Sequence, residues 1–372
     1  MKKKSTKRSM LKFRMRTLVW VMCGPAAMLI VSAAASSPQP DRVIIVSRHG
    51  VRRQFPSSTF NFSNYAPGLH FDTSDEAWGA GDEGMGVLTR HGYQAVERMG
   101  AYQGTRYKQL LNGCTGAFVY CEENMPRDEK TAEAFFKGLG CEPPELHSEG
   151  VEYLIDQGSH ARGEQGQCVL GSQAQVEGRV GGSVDEYLRL YRPLIRKLGE
   201  VLGCCDASLC GRAAGEPCSL EELPSGWDAK HWYTTFVGPM YAGKYFGEWI
   251  QLTMLNGMEF AWGKLSIEEV MELSAFVTQY RAFEFDLLAA RPFGSALLTH
   301  IAATLQGWAK DSEEAASSVA HVPASTSMVY YAAHDTNLLY LAELLGLKWL
   351  AKGWQPNHTP PGGMLVVEAY AP

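Results

Sequence analysis

The feature that most limits how this chain can fold is a set of short apolar runs placed near its two ends. Val43-Ile44-Ile45-Val46 is continuous and β-branched, bounded by Asp41 and Ser47, and Met328-Val329-Tyr330-Tyr331-Ala332-Ala333 is a segment of the same kind. Runs without polar alternation have both faces covered, as buried strands of a parallel sheet do. Ala117-Phe118-Val119-Tyr120 reads the same way, and Met364-Leu365-Val366-Val367 follows the turn signal Thr359-Pro360-Pro361-Gly362-Gly363. Helical patterns lie between: Arg90 to Tyr107 with Thr89 as N-cap, Glu129 to Leu139, and an amphipathic stretch from Val184 to Leu202 stopped by Gly203. From Trp232 to Thr304 the text is helical and aromatic-rich, whereas Gly158 to Gly182 and Asp311 to Ser325 read as exposed loops. Strands at both ends around a helical middle predict an α/β domain, a mainly parallel sheet flanked by helices, from residues 40–143 and 305–372. Residues 144–304 are expected to form an inserted, mainly helical cap domain.

The N-terminus has a different character. Eight basic residues and no acid precede an apolar run from Thr17 to about Val31, which ends in Ser32-Ala33-Ala34-Ala35-Ser36. Basic start, apolar middle and small-residue exit predict a secretory signal peptide over residues 1–35, and hence a periplasmic or secreted protein. An uncleaved membrane anchor is the competing reading, which Gly24-Pro25 disfavours. Cleavage would leave 26 basic residues against 40 acidic ones, a formal charge of −14. Such a chain is a poor partner for nucleic acid or an anionic membrane. An anionic substrate would need its positive charge concentrated in the site. Eight cysteines follow the leader, an even number that suggests disulfides in an exported chain. Their spacing lacks the paired C-x-x-C pattern of a structural zinc site, and neither metal nor cofactor is expected.

Two of the strands run directly into charged clusters. Val43 to Val46 leads into Ser47-Arg48-His49-Gly50-Val51-Arg52, and Met328 to Ala333 leads into His334-Asp335-Thr336-Asn337. Ligands of open α/β sheets bind where strands end and helices begin. One histidine in such a place is more often structural, but two independent clusters of His, Arg and Asp point to a site.

These residues resemble the histidine acid phosphatase family, whose signature is an early Arg-His-Gly-x-Arg segment and a late His-Asp pair. The likeness is greatest to the bacterial periplasmic phytases and glucose-1-phosphatases. It extends to Leu88-Thr89-x-x-Gly92-x-Gln94, to Lys130-Thr131-Ala132-Glu133-Ala134-Phe135, to the Cys210…Cys218-Ser219-Leu220 loop and to the Pro-Pro-Gly-Gly turn. The resemblance implies a phosphoglycerate-mutase-like α/β fold and cleavage of phosphate monoesters on small substrates such as inositol or sugar phosphates. It makes His49 the nucleophile and Asp335 the proton donor, with Arg48, Arg52, Arg127 and His334 holding the phosphate. It also pairs Cys114 with Cys141 and Cys210 with Cys218, and leaves Cys121, Cys168, Cys204 and Cys205 unassigned. A nucleophilic imidazole must be neutral in acid, and three guanidiniums should keep it so. Its other ring nitrogen is expected to donate to a carbonyl. With Asp335 protonated when it acts, activity should peak between roughly pH 4 and 6.

Several positions depart from the family pattern. Proline arrives late, in Arg52-Arg53-Gln54-Phe55-Pro56, and Ser57-Ser58 stands where phytases often carry a lysine for a second phosphate. Arg53 is a candidate substitute. A second Arg-His-Gly, at 90–92, follows no strand and reads as a structural or surface feature. His-Asp-Thr-Asn at 334–337 looks more like the phytase branch, with a sugar-phosphate phosphatase as the alternative. A phosphoglycerate-mutase-type enzyme and an inactive phosphate-binding envelope protein are more distant rivals.

Overall fold

The computed structural model describes residues 12–18, 39–55, 61–80, 86–122, 124–148, 154–155, 177–178, 181–227, 236–284, 287–310, 322–323 and 325–370. The six-stranded sheet comprises β1 (Lys12–Leu18), β2 (Arg42–Arg48), β3 (Ala117–Cys121), β4 (Leu146–His147), β7 (Met328–Ala333) and β8 (Met364–Tyr370), in the order β1-β8-β2-β7-β3-β4. β2, β7, β3 and β4 are parallel, while β8 runs antiparallel to both β2 and β1. The sheet is therefore mixed on one side. The Thr359–Gly363 turn brings the chain back along β2, with Gly362 donating to the carbonyl of His49 and Arg48 to that of Gly363. β1 lies inside the segment read as a leader, so its removal would leave β8 as the edge of a five-stranded sheet. A separate two-stranded pairing joins β5 (Gly226–Trp227) and β6 (Phe236–Val237).

Ten helices surround these strands among the described residues: α1 (Phe62–Tyr65), α2 (Asp75–Trp78), α3 (Arg90–Leu111), α4 (Pro126–Leu139), α5 (Val184–Leu188), α6 (Arg192–Leu202), α7 (Pro239–Leu255), α8 (Ile267–Glu284), α9 (Leu287–Lys310) and α10 (Asp335–Leu345). Thr89 caps α3 as expected, its hydroxyl accepting from Gly92 N at 2.9 Å. α4 begins three residues earlier than the periodicity suggested, because Pro126 is well suited to the first turn of a helix. The stretch from Val184 to Leu202 is α5 and α6 joined by a 3₁₀ turn at Arg189–Tyr191, with Pro193 at the start of α6. Most of the Gly158–Gly182 and Asp311–Ser325 segments lies outside the described residues.

The strands are buried on both faces, as their unbroken apolar text requires. Val43, Ile45, Val119, Tyr330 and Val366 pack under α3 and α4. Ile44, Val46, Tyr120, Tyr331 and Val367 face Leu297 and Ile301 of α9 and Leu338 and Leu341 of α10. Phe135 stacks on Tyr330 at 4.3 Å and Tyr120 on Tyr331 at 5.0 Å, so large rings fill both layers. A third cluster is aromatic and mostly helical, with Phe246 and Trp249 of α7 against Phe71 and Trp78. α7 is almost wholly buried along its length, and it carries the acid Glu248.

The disulfides Cys114–Cys141 and Cys210–Cys218 are formed as the resemblance implied. Cys204 and Cys205 are bonded to each other, and Cys121 is free and buried. Cys168 lies outside the described residues. No helix among them is long and apolar enough to cross a membrane.

Candidate active site

Three adjacent parallel strands end at one edge, and each delivers a polar residue there. Arg48 pairs in register with Ala333, and Cys121 with Ala332, so His49, His334 and Glu122 leave the sheet side by side. His49 N donates to the carbonyl of Ala333 at 2.9 Å, locking the first two segments together. The third is tied in through α4: Gly50 N donates to Thr131 Oγ1 at 3.1 Å, and that hydroxyl donates to the carbonyl of Arg127 at 2.6 Å. All six residues singled out in the sequence are buried here: Arg48, His49, Arg52, Arg127, His334 and Asp335. His91 is exposed at the start of α3, away from this edge.

The imidazole of His49 has a defined orientation. Its Nδ1 lies 2.9 Å from the carbonyl of Gly50, which can only accept, so Nδ1 carries the proton and Nε2 keeps its lone pair. Burial lowers its pKa well below the usual histidine value, and Arg127, Arg48, Arg52 and His334 lower it further. Desolvation is thus the larger influence, ahead of the guanidiniums on which the sequence argument relied.

The three arginines are held from different sides. Arg48 donates to the carbonyl of Thr359, and its Nη2 lies 3.4 Å from Asp335 Oδ2. Arg52 donates to Gln54 Oε1 at 3.0 Å and Glu248 Oε1 at 3.2 Å, and its guanidinium stacks over Phe55 at 4.5 Å. Burial brings the pKa of Arg52 down to about 10, against the opposing pull of Glu248. Arg127 faces the same phenyl ring at 5.7 Å. Asp335 opens α10, where its Oδ1 accepts from Thr336 N at 3.0 Å. His334 stands edge-on to His49 with ring centroids 5.7 Å apart. Its Nε2 is 2.6 Å from Glu122 Oε2 and 3.2 Å from Asp128 Oδ2. Among these buried groups Arg48 Nε and Arg127 Nε have no hydrogen-bond acceptor in the protein, whereas the His334 side chain caps α10 by facing the Asn337 N–H. A cluster of buried donors beside a neutral imidazole is a receptor for a compact anion.

A family model described as histidine phosphatase superfamily (branch 2) matches residues 41–192 and 227–371. This chain belongs to that superfamily. It is a phosphatase, and its relatives agree. Phytase AppA of Escherichia coli (strain K12) is 29% identical over 346 residues, covering 89% of this chain and 76% of that protein. The solved structure of the phytase from Citrobacter braakii is 27% identical with a TM-score of 0.69, over 88% of this chain and 80% of that one. Hafnia alvei phytase in complex with myo-inositol hexakis sulphate shares the fold at 21% identity, with a TM-score of 0.68 over 88% of this chain and 80% of that one.

In this branch 2 phosphatase the sequence reading missed four polar residues around the pocket. Glu122 follows β3 just as His49 follows β2, and that position was its only signal. Asp128 is adjacent to Arg127, but nothing in the text says that it is fully buried. Glu248 is the one acid in the apolar sequence of α7 and was legible on that ground. Gln54 has no sequence signal. Arg53, the candidate for a second phosphate, is engaged by Asp75 and by the carbonyl of Thr73 at 2.8 Å. Ser57 and Ser58 lie outside the described residues.

Proposed function

We propose that this phosphatase is exported and hydrolyses phosphate monoesters, phytate foremost, through a phosphohistidine on His49. The observation that supports it best is the orientation of that ring: Nδ1 is committed to the Gly50 carbonyl, and Nε2 is kept unprotonated by burial and three guanidiniums. In this reading Nε2 attacks phosphorus, the ester P–O bond breaks, and the leaving alcohol takes a proton from Asp335. The Asp335 carboxylate then removes a proton from water, which attacks phosphorus, breaks the P–N bond and releases phosphate. Arg48, Arg52, Arg127 and His334 hold the non-bridging oxygens, where the transition state carries its charge. In this reading Asp335 serves the leaving side, and Arg48, 3.4 Å from its Oδ2, steadies the carboxylate that remains once the proton is given up. Residues 1–35 act as the leader, and residues 144–304 as a cap from which Glu248 reaches the arginines.

The preference for phytate draws on the two phytases that are 29% and 27% identical. A glucose-1-phosphatase or broader sugar-phosphate phosphatase is favoured by a different observation, the engagement of Arg53 by Asp75 in a chain that has Ser57-Ser58 instead of a lysine. Release of phosphate from phytate, glucose-1-phosphate and an aryl phosphate at pH 5, by wild type and His49→Ala, separates these readings. Phytate should give the highest kcat/KM, and acid-unstable, alkali-stable phosphate should be trapped on His49 during turnover. A preference for glucose-1-phosphate transfers the assignment to the sugar-phosphate class. Binding without release from any of the three leaves only the inactive phosphate binder. Asp335→Ala should slow esters with poor leaving groups far more than the aryl phosphate, and equal slowing counts against its acid role.

A further inference from the structure

We propose that His358 is a positioning residue for phosphoryl transfer, fixing the Arg48 guanidinium by anchoring the turn whose Thr359 carbonyl receives it. This rests on the phosphatase reading above. The turn that follows His358 is stiff by composition. Pro360 and Pro361 have fixed φ angles, and Pro360 also confines Thr359 to extended backbone. Gly362 completes the turn at a φ of +76°, which its missing Cβ allows. The far end is tied to the strand that carries the nucleophile. Gly362 N donates to the His49 carbonyl and Arg48 N to that of Gly363, both at 2.9 Å. A stiff turn pinned at one end is placed by whatever holds the other.

At that other end stands His358, buried and fully engaged. Gln251 of α7 has its amide Nε2 3.1 Å from the ring Nε2, and Thr278 of α8 has its hydroxyl 2.7 Å from Nδ1. An amide nitrogen can only donate, so the ring Nε2 accepts and Nδ1 carries the proton that goes to Thr278. The Thr278 hydroxyl donates onward to the carbonyl of Ser274 at 3.2 Å. Trp354 stacks on the ring at 4.6 Å, and Trp349 Nε1 donates to the His358 carbonyl at 2.7 Å. With both ring nitrogens occupied, His358 has no donor left for a phosphate, and its effect passes through the next residue. The Thr359 carbonyl accepts from Arg48 Nη1. Arg48 also faces Glu248, which lies three residues before Gln251 on α7. One helix thus holds the same guanidinium twice, directly through an acid and indirectly through the His358 ring.

The test is a double-mutant cycle on the full chain, read by phosphate release from an aryl phosphate at pH 5. His358→Leu nearly keeps the volume and removes both ring hydrogen bonds. It should lower kcat/KM about 10-fold, mainly in kcat, because Arg48 meets charge that develops in the transition state. Added to Arg48→Ala it should cost no more than about twofold further, whereas added to Arg127→Ala it should cost the full factor again. Thr278→Val removes only the acceptor of Nδ1 and should repeat the pattern at smaller size, while Thr278→Ser, which keeps the hydroxyl, should restore wild-type kcat. Urea midpoints separate misplacement of Arg48 from loss of the fold, and Thr278→Val carries the cycle alone if His358→Leu does not fold. In an active enzyme, equal losses in both arginine backgrounds, or no loss in the wild-type background, overturn the positioning role and leave the phosphatase reading standing. A wild-type chain that releases no phosphate brings down both.

Discussion

Arg-His-Gly occurs twice in this chain, at 48–50 and at 90–92, and the two copies touch. The first ends a strand that is buried on both faces, and its arginine and histidine are buried with it. The second begins α3, where Arg90 and His91 are exposed and only Gly92 is buried. A Cβ on Gly50 would lie 3.1 Å from the carbonyl oxygen of Gly92, and a Cβ on Gly92 would lie 2.1 Å from that of Val51. One copy presents reactive groups and the other is the floor on which they rest. The tripeptide itself therefore carries no chemistry. What matters is whether a buried strand delivers it to the edge of the sheet, where desolvation makes an imidazole neutral and guanidiniums strong.

Substitutions at matched positions put that contrast at risk. His49→Ala should lower kcat for an aryl phosphate by about 10⁴-fold or more, whereas His91→Ala should stay within about twofold. Steady-state phosphate release at pH 5 measures both, and a large loss in His91→Ala would erase the distinction. Arg48→Ala should cost about 10²–10³ in kcat/KM by removing a donor to the developing charge, with Arg90→Ala again near wild type. Gly92→Ala, with little effect on the chemistry expected, should lower stability by about 2–3 kcal/mol because the added methyl meets backbone. The urea midpoint reads this directly, and an unchanged midpoint would mean that the two segments are not packed so closely.

The last expected effect concerns pH. His334 and His358 are buried with pKa values brought down to about 4 and about 3, and His49 is lowered as well. Their unfolded values lie near 6.5, so below that pH the unfolded chain binds protons that the native one refuses. Stability should thus be full above about pH 6.5 and fall as the solution is acidified, by about 3 kcal/mol at pH 4 for a site such as His358. Thermal midpoints between pH 7 and pH 4 check this, and His358→Gln should flatten the slope. A midpoint that rises on acidification contradicts the neutral assignment of these rings.

Much of this architecture could be read in advance because its strongest signals are local. The unbroken β-branched run at Val43–Val46 cannot be covered on both faces at the surface, and the turn residues after it mark where it ends. The reversal of β8 was not readable, since an apolar run looks the same in either direction. Of the pocket, the histidines and arginines after β2 and β7 were visible and Glu248 stands out as the one acid of α7, while the parts played by Glu122 and Asp128 needed burial and distance to be recognised. An acid at the surface and an acid beneath an arginine have the same letter in a sequence. The ring orientation of His49 was foreseeable only as a need for some carbonyl, and the fold meets that need with the neighbouring residue, Gly50.

Glu248 gives the pocket a resident counter-ion. Its carboxylate reaches Arg52 at 3.2 Å, Lys244 at 3.5 Å and Arg48 at 3.9 Å, so Arg48 and Arg52 share one compensating charge between them. An anion entering the pocket therefore meets guanidiniums that are already partly neutralised, and competes with a fixed carboxylate as well as with water.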